Sequence, residues 1–389
     1  MASRPGLLFK LHSAVYGLKD ASRQLWLRIT EVLLSHAFVR VAGDPCFFAK
    51  FDDNSRVLGF VLVWVDDFAV VGIDDFIRWF IDEITEVFDV KSIQWDKFYF
   101  NGLMVQSLDD GFMFNQTEYL KDIKEEDLPT AGPLKTRTPL DKTGLSQLRS
   151  ITGRLNWLTN TRADISSNIV QLSTHFRSGT IGDIKLANKT LAFAKANPVQ
   201  LKLVKMAPPF KLLVFTDSAF GNLDTTSGIK TASCGGFVVL LAGKGDLVTP
   251  LCWRSNKIKR QVVSSMAAEA LSLMEGADAG VAMQKMLVVA TGRSKEMFPM
   301  ELFTDCLDLF NGLNMSHGVK DKRLRTDLSR LWEDIDRGLY SLSHTVAAGQ
   351  VADRMTKHTA DPFILNTIFN TSSVSRLSLD SDAVRRASK

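Results

Sequence analysis

The stretch Leu58-Gly59-Phe60-Val61-Leu62-Val63-Trp64-Val65-Asp66-Asp67-Phe68-Ala69-Val70-Val71-Gly72 decides how the chain is read. Seven of the eight residues ahead of the acids are apolar, and so are the four behind them. The pattern predicts two buried strands folded back on each other, with Asp66 and Asp67 at the bend. Burying an unpaired carboxylate is costly, so two adjacent ones in an apolar hairpin call for a counter-charge. Two readings stand side by side. One is a polar turn, although tight hairpins favour Asn-Gly or Asp-Gly over Asp-Asp. The other is an acid pair that holds Mg²⁺ and positions a triphosphate, as two-metal polymerases do.

With 389 residues the chain is long enough for two or three domains, and 45% apolar with 23% charged residues is ordinary globular composition. No apolar run approaches a membrane span, and Met1-Ala-Ser-Arg-Pro-Gly6 lacks the pattern of a signal peptide. The four cysteines (Cys46, Cys234, Cys252, Cys306) show no paired spacing, and with six scattered histidines they suggest neither a zinc site nor a disulfide framework. A reducing, intracellular compartment is expected. The net charge of +4 is concentrated in residues 1–40, which hold six basic side chains, Lys19 and Arg23 among them, against Asp20 and Glu31. Such a segment can neutralise phosphates ahead of the acid hairpin, or simply be the solvated face of a helix.

Around the hairpin, residues 6–12 read as a short strand, Leu25, Ile29, Val32 and Leu33 as one face of a helix, and residues 46–51 as a strand. Residues 75–90 look helical, Phe98–Gln106 strand-like, and Asp109-Asp110-Gly111 a turn. The ordered segments YGLKDASRQLW (16–26), GDPCFF (43–48) and WVDD (64–67) resemble the reverse transcriptase of copia-type LTR retrotransposons, which carries YGLKQAPRxW, SDPCLF and YVDD in that order. Residues 98–106 are similar to its FLGIEV strand, and Thr161-Arg162-Ala163-Asp164-Ile165 to its TRPDI. Between them, residues 126–145 with three prolines read as a linker, and residues 140–205 as a helical connection serving as scaffold.

A second set of acids follows. Lys211–Asp217 and Met300–Asp305 are apolar strands that each close in Phe-Thr-Asp. Lying parallel and adjacent, they would bring both carboxylates to one sheet edge, where sites of α/β sheets gather. Ala232–Leu241 and Leu247–Trp253 read as antiparallel strands, and Ser264-Ser265 caps a helix whose stripe is Met266, Ala270, Leu273 and Ala277. Glu269 falls at the edge of that stripe, a position that a surface acid most commonly occupies. Asp353 follows on a short helix over residues 350–357. TDSAFGN, SSMAAEA, TDC and ADRMTK resemble the copia-type RNase H motifs DADWAG, SSTEAEY, DN and ADxxTK.

The resemblance implies an α/β (α+β) chain. It would hold a truncated reverse-transcriptase palm and thumb start (1–125), a linker and helical connection (126–205), and an RNase H-like mixed five-stranded sheet with flanking helices (206–362). A disordered tail (363–389) would follow. It makes Asp66 and Asp67, and Asp217, Glu269, Asp305 and Asp353, the catalytic and metal-holding carboxylates for Mg²⁺ or Mn²⁺. Lys19, Arg23, Lys257, Lys259 and Arg260 become candidate nucleic-acid contacts. The partners implied are an RNA–DNA hybrid and template-primer, with dNTP only for a completed polymerase half and no membrane. Location would be cytoplasmic, in virus-like particles, or nuclear. No acid precedes Tyr16, where the family places a third polymerase carboxylate, and Asp20 replaces a Gln beside the incoming nucleotide. An inactive polymerase half beside an active RNase H is therefore expected. A non-catalytic, nucleic-acid-binding remnant is the alternative.

Overall fold

A computed structural model describes residues 15, 17–128, 135–224, 231–314 and 322–374. The strand expected over residues 6–12 lies outside them. The chain divides into two compact units, Met1–Ile93 with Lys285–Arg293, and Gln94–Gln284 with Ser294–Lys389. Among the described residues no helix is long and apolar enough to cross a membrane.

The first unit runs α1 (Ala21–Ser35), β1 (Val39–Arg40), β2 (Phe47–Phe51), β3 (Val57–Trp64), β4 (Asp67–Gly72) and α2 (Asp74–Val87). Its strands form an antiparallel sheet in sequence order. Alternation along β2 and β3 sends Phe48, Val61 and Val63 to the helices, where Ile29 and Leu33 of α1 and Phe76 and Phe80 of α2 meet them. Phe47, Ala49 and Phe60 point the other way, against Met286, Val289 and Ala290. Gly59 and Gly72 face each other across the β3–β4 ladder. A Cβ at Gly59 would lie 2.3 Å from the Phe76 ring, and one at Gly72 2.5 Å from it, so this glycine pair makes the seat for α2.

The second unit opens with β5 (Lys97–Phe100), β6 (Leu103–Leu108) and β7 (Gly111–Asn115), joined later by β8 (Leu201–Val204) in an antiparallel sheet. The single strand expected over 98–106 is in fact a hairpin. Asn101 and Gly102 turn it, with φ of +48° and +71°, which is what Asn-Gly favours. Between β7 and β8 lie α3 (Thr117–Asp122), α4 (Lys142–Leu158), α5 (Ser166–Thr174) and α6 (Ile181–Ala196), packed through Leu148, Ile151, Leu155, Ile169, Leu172 and Leu191. Asp141 caps α4 by accepting from the Gly144 N–H at 2.7 Å.

Next come β9 (Lys211–Asp224), β10 (Thr231–Ala242), β11 (Val248–Lys257), α7 (Ser265–Thr291), β12 (Met300–Thr304), α8 (Leu307–Asn314), α9 (Lys322–Asp336), β13 (Ser341–His344), α10 (Asp353–Thr356) and α11 (Phe363–Thr371). The sheet order is β11-β10-β9-β12-β13, antiparallel through the first three and parallel from β9 onward. This is the RNase H-like mixed five-stranded sheet expected. One face carries α7. The other buries Phe215, Val238, Leu240, Phe303, Met355 and Phe369 under α10 and α11. Residues 363–371, expected in a disordered tail, are α11 instead. Leu365, Ile368 and Phe369 are all buried there, each worth about 1.5–3 kcal/mol.

Candidate metal centre

The parallel pairing of β9 and β12 matches Phe215 with Phe303, which sets Asp217 level with Asp305 two residues further along each chain. The strands behave differently from there. β12 ends at Thr304, whereas β9 runs on to Asp224 because β10 continues to pair with it, Gly236 opposite Asp217. Asp217 therefore lies within its strand and not at its end, and the opening in the sheet exists only on the β12 side.

Glu269 arrives from α7. The Ser264 hydroxyl accepts from the Ala267 N–H at 3.2 Å and starts that helix. Further along, Gly276 and Gly280 let it press on the sheet: a Cβ at either would lie 2.4 Å from Thr216 or Met300. Glu269 continues the stripe formed by Leu273, Gly276 and Gly280, at spacings that keep one helix face. It is buried, at 7% exposure, and not at a solvent edge.

One carboxylate oxygen from each of Asp217, Glu269 and Asp305 lies within 4.8 Å of the others. Ser218 donates to Glu269 Oε1 from its N–H (3.1 Å) and its hydroxyl (2.8 Å). Glu269 Oε2 is buried with no hydrogen-bond partner. Thr356 Oγ1 donates to Asp217 Oδ2. Burial, with the neighbouring acids adding to it, raises the Asp217 carboxyl to about 7, against the pull of Lys357 and Thr356. Burial and the nearby Asp217 charge raise Glu269 to about 8. Three clustered carboxylates, one with an orphaned buried oxygen, cost free energy unless a cation joins them. The all-oxygen donor set suits a hard divalent ion. The cluster can hold one.

Asp353 is not in that group. Its Oδ1 accepts from Lys357 Nζ at 2.6 Å, and the same ammonium lies 3.4 Å from Asp217 Oδ1. Lys357 and Thr356 belong to the ADRMTK segment but carried no role in the sequence reading. The i, i+4 spacing of Asp353 and Lys357 is the signal that was available.

The raised carboxyl groups fix a pH dependence. Asp217 and Glu269 keep protons in the folded chain that the unfolded chain releases near pH ~4. Their contribution to metal-free stability is complete below that pH and is lost as pH rises through about 7 and 8. A cation displaces those protons, so the rise in melting temperature on adding Mg²⁺ should be larger at pH 8.5 than at pH 5.5. Thermal unfolding with and without EDTA checks this, and Asp217→Asn should shrink the increment at pH 8.5.

In the first unit, Asp66 and Asp67 are both exposed at a two-residue turn closed by the Trp64–Asp67 pair. They need no counter-charge. Val65 takes φ of +56°, a region β-branched residues rarely occupy, so the backbone is strained beside the acids. Lys19 and Arg23 are exposed at the start of α1, and neither forms an ion pair with Asp66 or Asp67 among the described residues.

Of the basic residues near α7, Lys257 and Lys259 are exposed, whereas Arg260 makes a two-pronged pair with Asp327 at 2.8 and 2.6 Å. Lys257 also lines a groove of about 790 Å³ between β11 and helices α4 and α5, with Arg254, Asn156, Asn160 and Ser166, and with no acid in its lining. Its Ser255 shares a cross-strand row with Gly236 and Asp217.

Residues 2–140 match the family described as reverse transcriptase (RNA-dependent DNA polymerase). Over 368 residues the chain is 25% and 26% identical to the retrovirus-related Pol polyproteins from transposons RE2 and RE1 of Arabidopsis thaliana, covering 91% of this chain. It spans 24% of the length of each of those relatives. To the Pol polyprotein from transposon TNT 1-94 of Nicotiana tabacum it is 30% identical over 95 residues, 24% of this chain and 7% of that one. Among solved structures, RNase H1 from the archaeon Halobacterium salinarum aligns with 36% of this chain and 87% of its own, at 18% identity and a TM-score of 0.26. The sheet order β11-β10-β9-β12-β13, not that alignment, is what makes this sheet RNase H-like.

Proposed function

We propose, for a chain that is a retrotransposon-derived, Pol-like reverse transcriptase/RNase H sequence consistent with copia-type elements, metal-dependent hydrolysis of the RNA strand in RNA–DNA hybrids. The observation that carries this reading is the buried cluster of Asp217, Glu269 and Asp305 with its unpartnered Glu269 Oε2, placed beside the open end of a mixed five-stranded sheet.

Asp217, Glu269 and Asp305 would hold the ion, with Mg²⁺ or Mn²⁺ preferred by oxygen ligands. When bound, such an ion activates water and offsets the charge gathering on the phosphate and the leaving 3′ oxygen. The protein's share is arrangement. Ser218 fixes Glu269 by one oxygen and leaves the other for the ion. Thr356 orients Asp217 through its second oxygen. The groove carrying Lys257, and Arg254 paired at 3.5 Å with Glu275, supports contact with a sugar–phosphate backbone, sequence-independent as hybrid recognition by shape requires. We assign no nucleotide transfer to Asp66 and Asp67, because no third acid joins them among the described residues.

End-labelled substrates test the reading. In Mg²⁺ the RNA strand of a hybrid should be cut, while single-stranded RNA and duplex DNA of the same sequence should be cut at least ~10²-fold more slowly. Equal cutting of all three would point to a nuclease of another class, and binding without cutting to a remnant.

A further inference from the structure

We propose that Lys357 Nζ takes the place of a second divalent ion in this centre, so that the carboxylates hold one ion instead of two. The inference rests on the metal-dependent reading above and deepens it.

Four acids around two dications would be neutral, with two ions about 3.5–4 Å apart and shared carboxylates between them. Here the acids divide differently. Three oxygens converge within 4.8 Å, and the fourth acid, Asp353, is turned to an ammonium. That ammonium stands 2.6 Å from Asp353 Oδ1 and 3.4 Å from Asp217 Oδ1. It therefore bridges the carboxylate of the cluster to the carboxylate outside it, as a second ion would have to do. One dication and one lysine then supply three positive charges to four negative ones.

The two acids draw the lysine there, and the backbone turn that carries it is fixed. It follows the α10 turn four residues after Asp353, with its side chain 41% exposed, a spacing that brings its ammonium within reach of both acids. The turn is itself anchored: Arg354, buried at 6% exposure, donates through Nε to the Asp164 carbonyl at 2.7 Å, and Thr356 donates to Asp217. A second dication would have to break both lysine contacts and then sit within a side chain's reach of the displaced ammonium.

Counting bound Mn²⁺ by electron paramagnetic resonance tests this, using the full chain with Asp66→Asn and Asp67→Asn so that the hairpin acids contribute nothing. The expected count is one ion with Lys357, one with Lys357→Arg, and two with Lys357→Met, the last with the line broadening of a coupled Mn²⁺ pair. Two ions in the presence of Lys357 overturns the proposal, as does a single ion in a Lys357→Met chain that retains its unfolding transition. A misfolded Lys357→Met chain leaves the decision to the count with Lys357 itself. One ion without hybrid cleavage defeats the nuclease reading and leaves this inference standing. No ion in the folded chain defeats both.

Discussion

Glu269→Gln should abolish hybrid cleavage and, in EDTA, make the protein more stable. The two effects run in opposite directions for one reason. Glu269 is nearly isosteric with glutamine, yet its charge sits at 7% exposure beside Asp217 with Oε2 unpartnered. Without a cation that charge is a cost. The neutral amide removes it and can donate to the adjacent carboxylates, a gain of about 1–3 kcal/mol at pH 8.5. With a cation the charge is the ligand, and its loss removes several kcal/mol of charge stabilisation, a drop in rate of at least ~10³-fold. Urea unfolding in EDTA and single-turnover cleavage in Mg²⁺ read the two halves. A variant that loses stability in EDTA, or that still cuts, contradicts the assignment of Glu269 as a ligand.

Arg162→Ala should cost about 3–5 kcal/mol of stability. Arg162 and Asp164 are 3% and 1% exposed and meet in a two-pronged pair, both contacts at 2.9 Å. Arg162 also donates to the Ala194 carbonyl at 2.7 Å, and Asp164 accepts from Asn366 Nδ2 at 3.1 Å. Truncating the arginine strands a buried carboxylate with one amide for company. The loss should also reach the metal centre, because the Asp164 carbonyl is the acceptor that anchors Arg354 on α10. Replacing both members, Arg162→Met with Asp164→Leu, should recover most of the stability, since no charge is then left uncompensated. Denaturant midpoints for the single and double variants decide it. Equal losses in both would mean that packing, and not charge, is what the pair contributes.

Much of the architecture could be read from local pattern. The apolar runs around Asp66 are long enough and β-rich enough to be strands, and the repeated Phe-Thr-Asp endings foretell the parallel pair that aligns Asp217 with Asp305. What pattern did not show is where burial would fall. Glu269 looked like an edge residue because a helical stripe drawn through Met266, Ala270 and Leu273 omits Gly276 and Gly280, yet those two set how closely α7 approaches the sheet. Asn101-Gly102 is a turn signal in its own right, but the likeness of residues 98–106 to a single strand masks it. Asp353 is different again. Its spacing to Lys357 was visible, but that the lysine would also reach Asp217 depends on α10 lying across β9, a contact between residues 140 apart in the chain.

Cleavage of an RNA–DNA hybrid in Mg²⁺, measured for the chain and for Asp217→Asn side by side, tests most directly whether these acids form a working centre. The expected result is cutting by the chain and a loss of at least ~10³-fold in the variant, both proteins sharing the same cooperative unfolding. Cutting that survives in Asp217→Asn, or none by a chain shown to be folded and loaded with Mg²⁺, would contradict it.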